Sequence, residues 1–496
     1  MKTYDASSHN VNRLMRRGVV FSMLTVMLWA GLLTSPLFAV SPDNHTPERS
    51  GDRPGTLSCS LPGLAETPPN IVLFFVDDLG SYHVGYNNDR FDTPHIDALK
   101  TEGMFFSDAY SASPTCSPSR ASVVTGRHPA RLRIVRHVPG GDKFGRTDVE
   151  FNTHPNDPSA MPSRNWLPLE ETTLGEAVKP LGYYSCFVGK WHLGHEPYHP
   201  INNGFDEQHG VTNFGHPGSY YAPFWKDKTT TYEDVPEGKY LTDQLTDDAV
   251  AFLGRADQDV PFLLTLFYYG VHTPHQGRED LVAKYEGRGL VGREAHHAAM
   301  VEAVDESIGR IRSELSEQGL ADDTVLIFFS DQGGWMPNDP LRGSKAGGTA
   351  LYDGGARVPL IVTWPGVVEP GSLCDEPVLS TDILPTIVET AGGDPADCGT
   401  LDGLSLLPLL TDQDDFQRDA IFMYRSYESQ YASVRSDEWK MVAYRDGSRE
   451  LYDLDADPRE ESDVAADHPD VIRDLNEKLH EFEIETNVTE FNRIVQ

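Results

Sequence analysis

Ile71-Val72-Leu73-Phe74-Phe75-Val76 is an unbroken apolar run that stops abruptly at Asp77-Asp78. Six apolar residues without polar alternation suit a strand buried on both faces, and such strands belong to parallel sheets covered by helices. Comparable runs recur at 184–188, 262–269, 325–329 and 360–363. Helical patterns lie between them. Thr173-Leu174-Gly175-Glu176 has capping-box spacing, and residues 298–318 place Met300, Val301, Val304, Ile308, Ile311 and Leu315 near one face. This alternation predicts a large α/β domain over 68–415, with a mostly parallel central sheet flanked by helices. From residue 416 the runs become short and turn-punctuated, at 420–424, 431–434, 439–444 and 450–452. A last helical pattern aligns Val471, Leu475, Leu479 and Phe482. Residues 416–496 therefore read as a smaller α+β subdomain with an antiparallel sheet. Residues 137–170, rich in Pro, Asp and Asn, read as a polar insertion that shapes a surface cleft.

The chain has 496 residues, 39% of them hydrophobic and 24% charged, which excludes collagen, coiled coil and wholesale disorder. Lys plus Arg is 41 against 76 Asp plus Glu, a formal charge of −35. That balance excludes nucleic acid or an anionic membrane face as the main partner, because both need a basic surface. Arg13, Arg16 and Arg17 precede an apolar run from Val19 to Leu33, and Leu37-Phe38-Ala39 offers a cleavage site. Residues 1–39 read as a signal peptide and 40–67 as a flexible leader, so the protein is expected to be exported, periplasmic or extracellular, with no stable membrane anchor. The five cysteines are Cys59, Cys116, Cys186, Cys374 and Cys398, an odd number without zinc or redox spacing. Cys186 reads as a buried strand residue. Cys374–Cys398 is the most local disulfide pairing, worth about 3 kcal/mol on the loop-entropy estimate.

Ligands of open α/β sheets bind beyond the carboxyl ends of the strands. Four such ends carry chemistry here: Asp77-Asp78, Gly189-Lys190-Trp191-His192, His272-Thr273-Pro274-His275, and Ser330-Asp331-Gln332-Gly333. Taken singly, an Asp caps a turn and a His is a satisfied histidine. Taken together, they deliver carboxylates, an amide, Lys and His to one rim. Asp77, Asp78, Asp331 and the Gln332 carbonyl are hard oxygen ligands that suit Ca²⁺, or less well Mg²⁺, rather than zinc. Lys190, His192, His272 and Lys345 add positive charge and proton donors around that cation. The set is a receptor for a small tetrahedral oxyanion, which leaves sulfate or phosphate esters as substrates.

Cys116-Ser117-Pro118-Ser119-Arg120 runs into Ala121-Ser122-Val123-Val124-Thr125-Gly126. Pro118 fits the first turn of a short helix and Gly126 its end, so Cys116 sits at a helix N-terminus, where backbone N–H groups favour an anion. One reading is an ordinary buried thiol beside a solvent-facing Arg. The other is a nucleophile activated by the metal and Arg120.

With these residues in place the sequence resembles the type I, formylglycine-dependent sulfatase family, arylsulfatase-like members of the alkaline-phosphatase-like superfamily. C-x-P-S-R is that family's maturation signature. Further similar segments are 70–80, Thr93-Pro94-His95-Ile96-Asp97, Gly189–Gly194, Ser330–Gly333, Gly354-Gly355-Ala356-Arg357-Val358-Pro359, and Leu451-Tyr452-Asp453-Leu454 with Asp457-Pro458. The resemblance spans roughly residues 68–485. It implies conversion of Cys116 to formylglycine by a maturation enzyme, with Cys116 joining Asp77, Asp78, Asp331 and Gln332 around the metal. One hydroxyl of the hydrated aldehyde would attack sulfur in line, and the second would expel sulfate. The resemblance assigns Arg120 and His192 to orienting and deprotonating the diol. Lys190 and Lys345 would hold sulfate oxygens, and His272 would protonate the leaving alcohol. Gln332 departs from the family, many members of which carry Asn.

Export and the polar insertion favour a sulfated glycan as substrate. The alternatives are a phosphodiesterase or phosphonate-ester hydrolase of the same superfamily, since fold alone does not fix function, and an exported binding protein that uses the pocket without turnover.

Overall fold

The computed structural model describes residues 68–489, apart from 141–147, 155, 158–159, 226–231, 233, 346 and 414. Residues 1–67, read above as an export signal and a leader, and with them Cys59, lie outside the described residues. Eight strands form the main sheet, in the order Ser372–Cys374, Met104–Phe106, Leu360–Thr363, Thr324–Ser330, Asn70–Val76, Phe262–Phe267, Tyr184–Gly189 and Glu207–His209. Asn70–Val76 lies in the middle and pairs in parallel with Phe262–Phe267 and Thr324–Ser330. Its side chains alternate between two cores. Val72, Phe74 and Val76 pack beneath the long helix Arg293–Glu317. Ile71, Leu73 and Phe75 pack under the helices Cys116–Thr125 and Ile383–Thr390. Burial on both faces is the reason for the unbroken apolar run.

The register sets the strand ends at one level. Val76 pairs with Ser330, Phe75 with Phe267, and Phe267 with Gly189. The residues that follow, Asp77, Asp331 and Lys190, therefore emerge side by side. Leu360–Thr363 runs antiparallel to Thr324–Ser330. The physical reason is the connection: residues 331–359 carry one four-residue helix, Asp353–Ala356, whereas a parallel return needs a full crossover. The sheet is still mostly parallel.

The capping box is present, with Thr173 N–H donating to the Glu176 carboxylate at 3.0 Å. Cys186 is fully buried in its strand. The Cys374–Cys398 pairing does not form: Cys116, Cys186, Cys374 and Cys398 are all free thiols. Cys374 ends an edge strand in register with Phe106, while Cys398 closes a 3₁₀ turn that follows helix Ile383–Thr390. Closeness in sequence does not bring the two sulfurs together. Among the described residues no helix is long and apolar enough to cross a membrane.

Ile421–Tyr424, Gln430–Ser436, Trp439–Tyr444 and Arg449–Asp453 make an antiparallel four-stranded sheet. Helix Pro469–Glu485 lays Leu475, Leu479 and Phe482 on it. This sheet is tied to helix Asp353–Ala356 by buried charge. Lys440 Nζ lies 2.5 Å from Asp353 Oδ1 and 2.9 Å from Glu460 Oε1, all without solvent contact. Replacing Lys440 by Met strands two carboxylates in the interior. It is expected to cost about 3–5 kcal/mol in urea unfolding. Lys478→Met, which breaks the exposed pair with Asp419, should cost less than about 1 kcal/mol.

Candidate active site

Beyond the strand ends the backbone ladder continues for one more step. Asp77 N–H donates to Gly270 O at 2.9 Å, and Asp77 O accepts from Val271 N–H at 2.6 Å. Asp78 then turns into the left-handed region with φ 63°, and His192 does the same with φ 56°. Neither is glycine, so both carry backbone strain of the kind held at functional sites. Asp78 N–H is caught by Asp331 Oδ1 at 2.9 Å.

Helix Cys116–Thr125 points its N-terminus at this rim, and Gly126 ends it with φ 65° and an N–H bond to Ser122 O. The structure brings every candidate residue together: Asp77, Asp78, Cys116, Arg120, Lys190, His192, His272, Asp331, Gln332 and Lys345. Cys116 Sγ lies 3.7 Å from Asp77 Oδ1 and 3.2 Å from both Lys345 Nζ and Gln332 Nε2. Lys190 Nζ donates to Asp77 Oδ2, and Lys345 Nζ to Asp78 Oδ1 at 2.6 Å. Arg120 is fully buried rather than facing solvent. Its guanidinium bonds Lys190 O at 2.7 Å and Asp331 Oδ2 at 3.1 Å, and it lies 5.2 Å from the Phe75 ring centre.

Electrostatics follow from this crowding. Burial pushes the Cys116 thiol up, but Lys190 and Lys345 outweigh it and hold the group well below its ordinary value. Burial also opposes charge on Asp77, yet Lys190 keeps its carboxyl below the usual range. Asp78 is raised by burial that Lys345 and His272 only partly offset. Asp331 is raised strongly by burial and by the charge on Asp77 and Cys116. His192 is held neutral, near 3, by burial, with Lys190 adding to the effect. Its Nε2 must be the protonated nitrogen, because it bonds the Val138 carbonyl at 3.0 Å. The lone pair of Nδ1 then has no hydrogen-bond partner. His272 is pulled down by burial but raised overall by Asp78, whose Oδ2 lies 3.7 Å from His272 Nε2.

The ligand atoms of Asp77, Asp78, Cys116 and His272 lie within 4.8 Å of one another. Asp78 Oδ2 and Gln332 Oε1 are buried oxygens without a hydrogen-bond partner. Two orphaned hard donors in a carboxylate cluster fit a divalent cation with oxygen ligands. Asp331 stands at the edge of this group, with one oxygen on the Asp78 backbone and the other on Arg120.

Several residues of the site carry no signal in the sequence. His137 helps hold the Cys116 thiol below its ordinary value and stacks on His192 at 5.9 Å. His216 stacks on His272 at 5.8 Å, with the rings 7° from parallel. Tyr220 OH donates to the carbonyls of Tyr269 and His272 at 2.5 and 2.8 Å. Arg425, from the C-terminal sheet, donates to Lys345 O at 3.1 Å. Other motif segments turn out to be scaffold. Asp97 accepts from Thr93 Oγ1 at 2.8 Å to start a helix, and Arg357 pairs with Asp108 at 2.9 Å.

A carboxylate cluster fit for a divalent cation, beside a thiol and two lysines at the carboxyl edge of an α/β sheet, suits a hydrolase of tetrahedral oxyanion esters. The sulfatase family model matches residues 69–393, and one described as N-sulphoglucosamine sulphohydrolase, C-terminal, matches 349–485. The chain belongs to the sulfatase family and is a sulfuric ester hydrolase. It is 32% identical to mouse N-acetylgalactosamine-6-sulfatase over 388 residues, covering 73% of this chain and 69% of that one. It is 30% identical to human arylsulfatase A over 453 residues, covering 82% of each. The crystal structure of Ps i-CgsB in complex with k-i-k-neocarrahexaose superposes with a TM-score of 0.73 at 28% identity, covering 84% of this chain and 93% of that one.

Gly215 shows how tightly the site is set. A Cβ there would meet His192 ring atoms at 2.2–2.6 Å. Gly215→Ala should therefore displace the imidazole and lower kcat about 100-fold, with an unchanged circular dichroism spectrum and a melting point lowered by a few degrees.

Proposed function

We propose that the protein removes sulfate from sulfated glycans or their oligosaccharides. The observation that carries this reading is the placement of Lys190 on Asp77 and of Lys345 on Asp78 and Cys116, in a buried cluster of oxygen donors. The relatives named above, one acting on N-acetylgalactosamine 6-sulfate and one solved with a carrageenan oligosaccharide, support a sulfated sugar. The preferred cation is Ca²⁺, with Mg²⁺ second, held by Asp77, Asp78, Asp331 and Gln332. When bound, the cation and a formylglycine made from Cys116 by a maturation enzyme supply an activated hydroxyl nucleophile.

The chain's own residues do the rest. Lys190 and Lys345 take the charge of the sulfate oxygens. Arg120, anchored on Asp331 and the Lys190 carbonyl, fixes the floor on which Asp77 stays ionised. His192 accepts a proton at Nδ1, its free lone pair. His272 donates one from Nε2 to the departing alcohol, with Nδ1 held by Thr273 O at 2.8 Å. Acid–base groups positioned in this way are worth roughly 10²–10⁴ in rate. We assign residues 68–415 to the catalytic domain, 416–496 to the C-terminal subdomain, and 1–39 to an export signal.

Aryl sulfate turnover should far exceed aryl phosphodiester turnover. The reverse ranking would overturn the assignment in favour of a phosphodiesterase, and binding of sulfated sugars without release of sulfate would mark a binding protein. Tryptic mass spectrometry of active protein should find the aldehyde at position 116. Sustained turnover with only intact cysteine there would overturn the maturation step. Elemental analysis should find near-stoichiometric calcium that Asp77→Ala loses, and zinc as the required metal would contradict the donor set.

A further inference from the structure

Trp335 is an exposed large aromatic, 42% accessible, and it belongs to the loop that leaves the Asp331-Gln332 strand end. Its ring centre lies 5.5 Å from Lys345 Nζ, the same nitrogen that lies 3.2 Å from Cys116 Sγ. The indole therefore borders the sulfate position. The loop under it is braced. A Cβ at Gly334 would meet Asp78 O at 2.5 Å, His83 Nε2 bonds Pro337 O at 3.0 Å, and Asn338 Oδ1 accepts from Tyr82 N–H at 2.9 Å. An indole held by such a frame can act as a fixed platform.

A groove of about 410 Å³ runs away from it, lined by Trp335, Asn338, Arg342, Ser344, Arg459 and Glu461. Arg342 is occupied, donating to Tyr452 OH and Glu460 O at 2.8 and 2.6 Å. Arg459 is exposed and has no ion-pair or hydrogen-bond partner among the described residues. A free guanidinium is notable in a chain with 76 acidic and 41 basic side chains. Arg459 suits a carboxylate or sulfate, Glu461 suits sugar hydroxyls, and the indole offers a large apolar face with little conformational entropy to lose.

We propose that Trp335 and Arg459 form a subsite for the sugar unit next to the one that loses sulfate, a pyranose carrying one further anionic group. Trp335 stacks on the ring face and Arg459 meets the anion. This rests on the sulfated-glycan reading and deepens it by making the enzyme prefer a substrate at least two sugars long.

The test uses monosaccharide sulfates and the corresponding di- and tetrasaccharides from chondroitin 6-sulfate and carrageenan, with Trp335→Ala, Trp335→Phe and Arg459→Gln. Wild type should favour the longer substrates in kcat/KM. Trp335→Ala should lose at least about 10-fold more on the disaccharide than on the monosaccharide, chiefly in KM, and Trp335→Phe should restore most of it. The Arg459→Gln loss should vanish on a neutral neighbouring sugar and in about 0.5 M salt. Calorimetric binding to Cys116→Ala protein should rank the ligands identically without turnover. Equal losses at every length, or a wild type indifferent to length, would overturn the subsite while leaving the sulfatase reading intact. A wild type that releases sulfate from aryl esters and from no sugar would overturn the glycan reading and the subsite together.

Discussion

Asp77 is an ionised carboxylate with no solvent contact at the centre of the main sheet's carboxyl edge. Moving such a charge out of water costs several kcal/mol unless partners are fixed around it. Lys190 and Arg120 are those partners, while the Gly270–Val271 backbone fixes the Asp77 main chain, and each comes from a different element. The neighbouring strands must therefore keep their register with Asn70–Val76, since a slip of one residue would turn the side chains of the strand to opposite faces. Helix Cys116–Thr125 must dock so that Arg120 bridges Asp331 and Lys190 O. The strained φ values of Asp78 and His192 persist because the packing around them allows no relaxation.

The C-terminal sheet is part of this arrangement. Arg425 donates to Lys345 O behind the lysine that faces Cys116, and Tyr427 OH lies 3.3 Å from Thr115 Oγ1, just before the nucleophile position. The Lys440–Asp353–Glu460 cluster holds that sheet against the segment that carries Gly354 and Gly355. Those glycines leave no room for side chains: a Cβ at Gly354 would meet Gly343 O at 2.3 Å. The motif thus preserves a close approach of backbones beneath the loop that bears Lys345 and Trp335.

Much of the site could be read from the chain because parallel sheets place function at strand ends. Asp77, Lys190, His272 and Asp331 were legible as the polar residues that follow apolar runs. Arg120 was legible as a residue but not in its setting, since a buried guanidinium looks the same in sequence as an exposed one. His137, Gly215 and His216 were not legible at all. His137 begins a polar insertion and the other two sit in an irregular loop, where neither periodicity nor capping marks a position. The antiparallel turn of Leu360–Thr363 was hidden too, because a short buried strand has the same composition in either direction.

The sequence by itself determined the layered α/β architecture, the second antiparallel unit, and the identity of the charged groups around Cys116. It could do so because burial on both faces of a strand leaves a local hydrophobic record. Tertiary structure alone decided that Cys374 and Cys398 stay apart, that Asp331 serves Arg120 and the Asp78 backbone, and that Gln332 and Asp78 each keep a buried oxygen without a hydrogen-bond partner. It also decided that Trp335 stands beside Lys345 at the head of an open groove. Each of these depends on distances between elements far apart in the chain, which packing and register set and which no local pattern records.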